Sequence, residues 1–310
     1  MKKYTHAWLA FMAIKRLDEI EIKNHKKNAA SLVQWFNNHR DFVIQGSWYP
    51  DSVIKDMSTS HILKYKPDTN SKNNTFRKLP SSYHLYDIGK KSDYYKKPYN
   101  IVKGNLPDRC ESLAHSIIDN LKMQEEEDKG SPISPTDNHI ATIFFMLSHY
   151  IADAHMPLHC DDRAFSNEKN IHAHIEKEWD DLIRECYSID MDNERFFYNP
   201  EGYPLKIGNN DIIDWVEKET VERKFKIGWG ANNKSTWDFM SAITQYSYLT
   251  SYKMIPENYT PDNLDMNTFI NLNTGYSFEE YSKYILIDAI DSISRVWLRV
   301  WNKYNKWINR

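Results

Sequence analysis

Glycine is scarce in this chain, with 9 residues among 310, which disfavours a fold built on tight turns and many short strands. The 3 cysteines, Cys110, Cys160 and Cys186, are odd in number and scattered, so a disulfide framework is not expected. No charge of one sign dominates: the net charge is −3 with 27% charged residues, which argues against an extended nucleic-acid or membrane-surface footprint. Uninterrupted apolar runs are also missing, and no stretch approaches the roughly 18 residues that a membrane span requires. The opening "MKKYTHAWLAFMAIKRL" has the lysines of a leader but carries His6 and returns to Lys15 and Arg16 without a small-residue cleavage site. It reads as part of the mature fold, and a cytoplasmic location is the expectation. Aromatic residues, at 14%, are by contrast plentiful, and core packing is their simplest use.

Hydrophobic periodicity predicts helices over residues 5–22, 28–45, 109–127, 137–155, 171–188, 211–225 and 235–254, and over the C-terminal stretch beginning "SFEEYSKYILIDAI". Thr136 or Asp137 is the natural N-cap of the fourth, and Pro157 should end it, because proline lacks the N–H and clashes with the preceding turn. Gly46 and Pro50 in "GSWYPD" are expected to break the helical pattern. Residues 62–108, with Pro67, Pro80, Pro98 and Pro107, read as a long irregular excursion, and the poorly patterned region as a whole extends over about 62–130. Strand alternation is weak throughout. The fold class is all-α, a single helical domain over 1–310.

Within "LSHYIADAHMPLHCD" (147–161), His149 and Asp153 stand four residues apart, hence on one helical face. His159 lies beyond the proline, where the chain can bend back, and His155 points off that face. Imidazole with carboxylate is a ligand set for zinc, with manganese or iron as further options. An aspartate among Met146, Leu147 and Ile151 is costly to bury unless a cation neutralises it. The alternative is a hydrogen-bonded core histidine beside a surface aspartate. Residues 171–183, "IHAHIEKEWDDLI", add two more such pairs, His172/Glu176 and His174/Glu178. At about 100° per residue the first lies nearer the apolar face and is preferred. Cys160 adjoins His159 as an alternative soft ligand. His25 and His39 sit among charges and read as solvated. His115 and His139 read as ordinary helix residues.

The stretch "SHYIADAHMPLH" resembles the central motif of the zinc-dependent phospholipase C and single-strand-specific nuclease superfamily, matching it at His149, Tyr150, Asp153, Pro157, Leu158 and His159. "THAWLAFMAI" is similar to the family's first helix, with His6 as a ligand, and "GSWYPD" to the loop that delivers an aspartate, here Asp51. "HAHIE" is similar to the phospholipase branch at His172 and Glu176. The resemblance implies a helical domain with three zinc ions in a cleft. Asp51, His61, His149 and Asp153 would hold the first, and His159, His172 and Glu176 the second. His6, Asp153 and the α-amine of Met1 would hold the third. Met1 stands where the family usually has tryptophan, and the bulky Lys2 should leave it in place. His61 is preferred over His84 as the fourth ligand of the first ion. The implied activity is a phosphodiester hydrolase in which metal-activated hydroxide attacks phosphorus in line, with Asp51 and Asp153 catalytic. The substrate is a phospholipid headgroup, or, as the second choice, single-stranded nucleic acid. A non-catalytic helical zinc-binding interaction protein is the alternative from another class.

Overall fold

The structure, a computed structural model, describes residues 1–19, 23–68, 75–126, 134–165, 171–224 and 235–308, with the backbone alone at 23–25. Helices dominate. In chain order they are α1 (Lys3–Asp18), α2 (Lys23–Asn37), α3 (Val43–Tyr49), α4 (His84–Lys90), α5 (Leu106–Glu125), α6 (Asp137–His155), α7 (Pro157–Cys160), α8 (Ile171–Cys186), α9 (Asp211–Glu222), α10 (Thr236–Met254), α11 (Met266–Ile270) and α12 (Phe278–Ile308). Two small antiparallel ribbons accompany them: β1 (Leu63–Pro67) with β2 (Tyr99–Gly104), and β3 (Ile189–Asp190) with β4 (Arg195–Phe196).

Local chemistry explains the boundaries that matter. The Thr136 hydroxyl accepts the His139 N–H at 3.2 Å and so caps α6. Met156, ahead of Pro157, is forced to an extended ψ of 108°, which ends α6 and starts the single turn of α7. Every residue of α6 from Phe144 to His155 is buried, as befits a central helix hydrophobic all round. It packs against α3, α5 and α12, while α1 packs against α3, α8 and α12. Buried apolar side chains from Met1 to Tyr304 form one contiguous core. No helix among the described residues is long and apolar enough to cross a membrane.

The sequence pattern misleads in three places. Gly46 and Pro50 do not interrupt the helix: α3 runs through Gly46, and Pro50–Ile54 continue it as one π-helical turn. A β-carbon on Gly46 would lie 2.8 Å from the Cβ of Phe145, so glycine is what lets α3 press against α6. Proline, having no N–H, is tolerated at the first position of the wider turn. The helix expected over 28–45 is divided, with α2 ending at Asn37 and a 3-10 turn at Arg40–Phe42 before α3. The supposedly irregular 62–108 contains β1, α4, β2 and the start of α5, which begins at Leu106, three residues before the helix expected from 109. "LKYKP" does alternate, with Leu63 and Tyr65 buried, but over too few residues to stand out among prolines. Of the stretch "EEEDKGSPISPTD" (125–137), which reads as a linker, residues 127–133 lie outside the described residues, as do the helical residues expected at 20–22.

Candidate metal centre

Six segments deliver polar groups to one cleft of about 350 Å³. The N-terminus of α1 brings Met1 and His6, the π-helical turn brings Asp51, and the turn that follows it brings His61. α6 supplies His149 and Asp153, α7 supplies His159, and α8 supplies His172 and Glu176. Lys55, at φ 57° in the left-handed region, closes the π-helical turn and redirects the chain toward His61.

Among the described residues three groups of potential ligand atoms result: His6, His149 and Asp153; Asp51, His61 and His149; and His159, His172 and Glu176. Asp153 is the hub. Its Oδ2 lies 2.8 Å from His61 Nδ1 and 3.2 Å from His149 Nε2. Its Oδ1 lies 3.1 Å from the Met1 amine and 3.5 Å from both His6 Nε2 and His159 Nδ1. Glu176 Oε1 gathers the Met1 amine at 2.7 Å, His172 Nε2 at 2.8 Å and His159 Nε2 at 3.4 Å.

The donor set fits a cation. His149 Nδ1 is 2.6 Å from the Ser47 carbonyl, which only accepts, so the ring proton resides there and Nε2 presents a lone pair. That lone pair faces Asp153 Oδ2, and Asp51 Oδ1 at 3.7 Å, both acceptors as well. Acceptors arranged in this way need a proton or a metal ion among them. The His6 ring stacks on His149 with centroids 3.8 Å apart, and both of its nitrogens are buried without a hydrogen-bond partner. His159 Nδ1 is likewise buried and unpartnered.

Electrostatics favour the protonation states that ligation requires at His6, His159, Asp153 and Glu176, and oppose them at Asp51, at the Met1 amine and at His61, where burial is outweighed by the Asp153 carboxylate and the pKa is raised. Burial pushes the pKa of His6 well down, helped by His149 and the N-terminal charge. Burial also brings His159 down to about 4. For Asp153, burial opposes ionisation, but the Met1 ammonium with His159 and His149 outweighs it and holds the carboxyl well below the usual range. Glu176 is held low against burial by the Met1 ammonium and His172. Burial raises Asp51. Burial also disfavours the charged Met1 amine, yet Asp153 and Glu176 prevail and push it up to about 11. A metal at that amine must therefore displace a tightly held proton.

The residues implied as ligands thus line this cleft or, in the case of His6 and His149, lie buried directly against those that do, and the open alternatives separate. His84 starts α4, where it stacks on Tyr284 with centroids 4.3 Å apart, away from the ligand groups. His174 and Glu178 are exposed. His155 turns away and meets Ser292 Oγ of α12 at 2.7 Å. Cys160 is buried with its thiol toward the Ala154 carbonyl. His39 departs from the expectation of a solvated residue: it is buried, with Nδ1 3.1 Å from Asn138 Oδ1. His115 and His139 are exposed helix residues, and the side chain of His25 lies outside the described residues.

Three contributors are not apparent in the sequence pattern. Asp180, one turn beyond Glu176 on the same face of α8, accepts the N–H groups of Tyr4 at 2.8 Å and Thr5 at 3.1 Å and so caps α1. Its position in the 172/176 row was the only available signal. Lys64 lines the cleft, anchored by its ammonium to the Asp161 carbonyl at 2.8 Å. Asp56 contacts His61 Nε2 at 2.8 Å, and no local spacing points to it. No protein-family model matches the chain, and no curated protein matches it in sequence.

Proposed function

We propose that the chain is a zinc-dependent phosphodiester hydrolase of the phospholipase C type. The observation that carries the reading is the inward-facing lone pair of His149 Nε2, with carboxylate oxygens of Asp153 and Asp51 opposite it and the two further ligand groups adjoining. Asp51, His61, His149 and Asp153 are assigned to one ion, His159, His172 and Glu176 to a second, and Met1, His6 and Asp153 to a third. Ions held there supply activation of water and neutralisation of charge on the phosphoryl oxygens. Asp51 borders the cleft, where a carboxylate beside the ion orients and deprotonates water. Lys2 and Lys64 line the cleft and add positive charge near an anionic diester.

The preference for a lipid-type substrate over a nucleic acid rests on the walls. Met57, Ile62 and Leu158 provide apolar surface, and among the described residues lining the cleft none is Phe, Tyr or Trp. Base stacking on aromatic side chains is the usual means of holding single strands. Elemental analysis of protein purified without added metal or chelator is expected to find two to three zinc ions per chain. A panel of chromogenic diester, phosphatidylcholine, single-stranded DNA and RNA then ranks the substrates, with phosphatidylcholine expected to exceed both nucleic acids. Less than about one equivalent of any transition metal ends the proposal. Bound zinc with no turnover of any diester favours the non-catalytic alternative.

A further inference from the structure

Asp56 does not line the cleft, yet it is tied to a residue that does. Its Oδ1 is 2.8 Å from His61 Nε2. An ionised carboxylate only accepts, so Nε2 carries the hydrogen. The opposite nitrogen, Nδ1, then faces Asp153 Oδ2 at 2.8 Å, His149 Nε2 at 3.1 Å and Asp51 Oδ1 at 3.5 Å.

Asp56 is itself held from two other helices. The Tyr150 hydroxyl of α6 donates to its two oxygens at 3.0 and 3.2 Å. Arg109 of α5 brings Nε to 3.7 Å from Oδ2, and its guanidinium lies over the Tyr150 ring, 5.2 Å from the centroid. The backbone closes the arrangement, since the N–H groups of Thr59 and Ser60 donate to the Asp56 carbonyl at 3.0 and 2.9 Å. His61, which no helix carries, is thereby registered against the helix bearing His149 and Asp153.

We propose that Asp56 is the positioning residue of His61: it fixes the ring with Nδ1 toward the ion and strengthens that nitrogen as a ligand. The proposal rests on the reading that Asp51, His61, His149 and Asp153 hold an ion. The two imidazoles of that set are oriented differently, His149 by the neutral Ser47 carbonyl and His61 by a charged carboxylate. Outer carboxylates of this kind typically change metal affinity by about 10–100-fold.

The test is zinc affinity, measured by competition with a chromophoric chelator, in the wild-type chain, Asp56→Asn and Asp56→Ala. Asp56→Ala is expected to weaken one zinc of the set by about 10–100-fold and leave the others in place. Asp56→Asn should lose less, because the amide oxygen still accepts the Nε2 hydrogen. Tyr150→Phe keeps the ring, removes only the hydroxyl that braces Asp56, and should give a smaller loss in the same zinc. The long-range ¹H–¹⁵N histidine spectrum of the zinc-loaded wild type should show His61 protonated at Nε2 and metal-bound at Nδ1. Metal at Nε2, or an Asp56→Ala chain that folds and binds every zinc as tightly as wild type, overturns the proposal. If Asp56→Ala does not fold, the His61 spectrum and Tyr150→Phe decide. A wild-type chain that binds no zinc removes the underlying reading itself, a result distinct from an unchanged variant.

Discussion

The α-amine of Met1 lies 2.7 Å from Glu176 Oε1 and 3.1 Å from Asp153 Oδ1, joining groups 175 and 152 residues apart in the chain. Asp180, one turn further along α8, holds the first N–H groups of α1. One face of α8 therefore both aims the amine and anchors the helix behind it.

Residues appended before Met1 should disturb this corner. Met1 is 3% exposed, and an added residue converts its amine into an amide, which is a poor ligand. A chain with an N-terminal tag is expected to bind fewer zinc ions and turn over more slowly than one tagged at the C-terminus. The ions assigned to His149 and to His172 should remain. Equal zinc content and equal rates would exclude Met1 from the ligand set.

Chelation should destabilise the protein, because the ligands tie separate segments together and ions bound only to the folded chain add to its stability. At a hundredfold excess of metal over Kd each site contributes about 2.7 kcal/mol. Removing the ions should lower Tm by several degrees each, reversibly on adding zinc. Calorimetry with and without chelator reads this directly, and an identical melt after confirmed removal of metal places the sites outside the folding unit.

Asp153→Asn and His155→Ala, two residues apart, should behave differently. Asp153 is 1% exposed and contacts the amine and the imidazoles assigned to all three ions, so losing its charge should cost at least one zinc and orders of magnitude in activity. His155→Ala removes the contact with Ser292 and leaves a cavity, which should cost about 2–4 kcal/mol of stability with zinc content unchanged. Loss of zinc in His155→Ala but not in Asp153→Asn means the helical register of the site is wrong.

His84 should make the metal-free protein less stable in acid. Burial, aided by the charge of Arg223, pushes its pKa down to about 4. The unfolded chain takes up the proton near pH 6.5, whereas the folded one resists it until about 4. Its contribution is thus complete above about pH 6.5 and falls as pH drops through that window, by up to about 1.4 kcal/mol per pH unit. Asp288, raised to about 7 principally by burial, acts with the opposite sign, so the useful quantity is a difference between two chains that both retain it. Urea denaturation of wild type and His84→Phe, which preserves the ring stacked on Tyr284, should show the variant losing less stability between pH 7 and about 4.5. Parallel profiles would show that His84 is not the group responsible.

Much of this protein was legible without the structure because the relevant rules are local. A 3.6-residue period located the helices, Thr136 and Pro157 marked the limits of α6, and i,i+4 spacing placed His149 with Asp153 and His172 with Glu176. The resemblance pointed further, to Met1, His6, Asp51 and His61, with His61 preferred over His84. Tertiary structure separates the two: a left-handed residue at Lys55 returns the chain to the cleft, while β1 and α4 carry His84 away to Tyr284. Asp56 became visible only through its hydrogen bond to His61, Asp180 of the 172/176 row acquired its role through the N–H groups of α1, and Gly46 proved to be a packing contact rather than a helix break. Helical periodicity reports which side chains share a face over a few residues. Which faces meet is decided by burial of the whole core, and that depends on contacts between segments far apart in the chain.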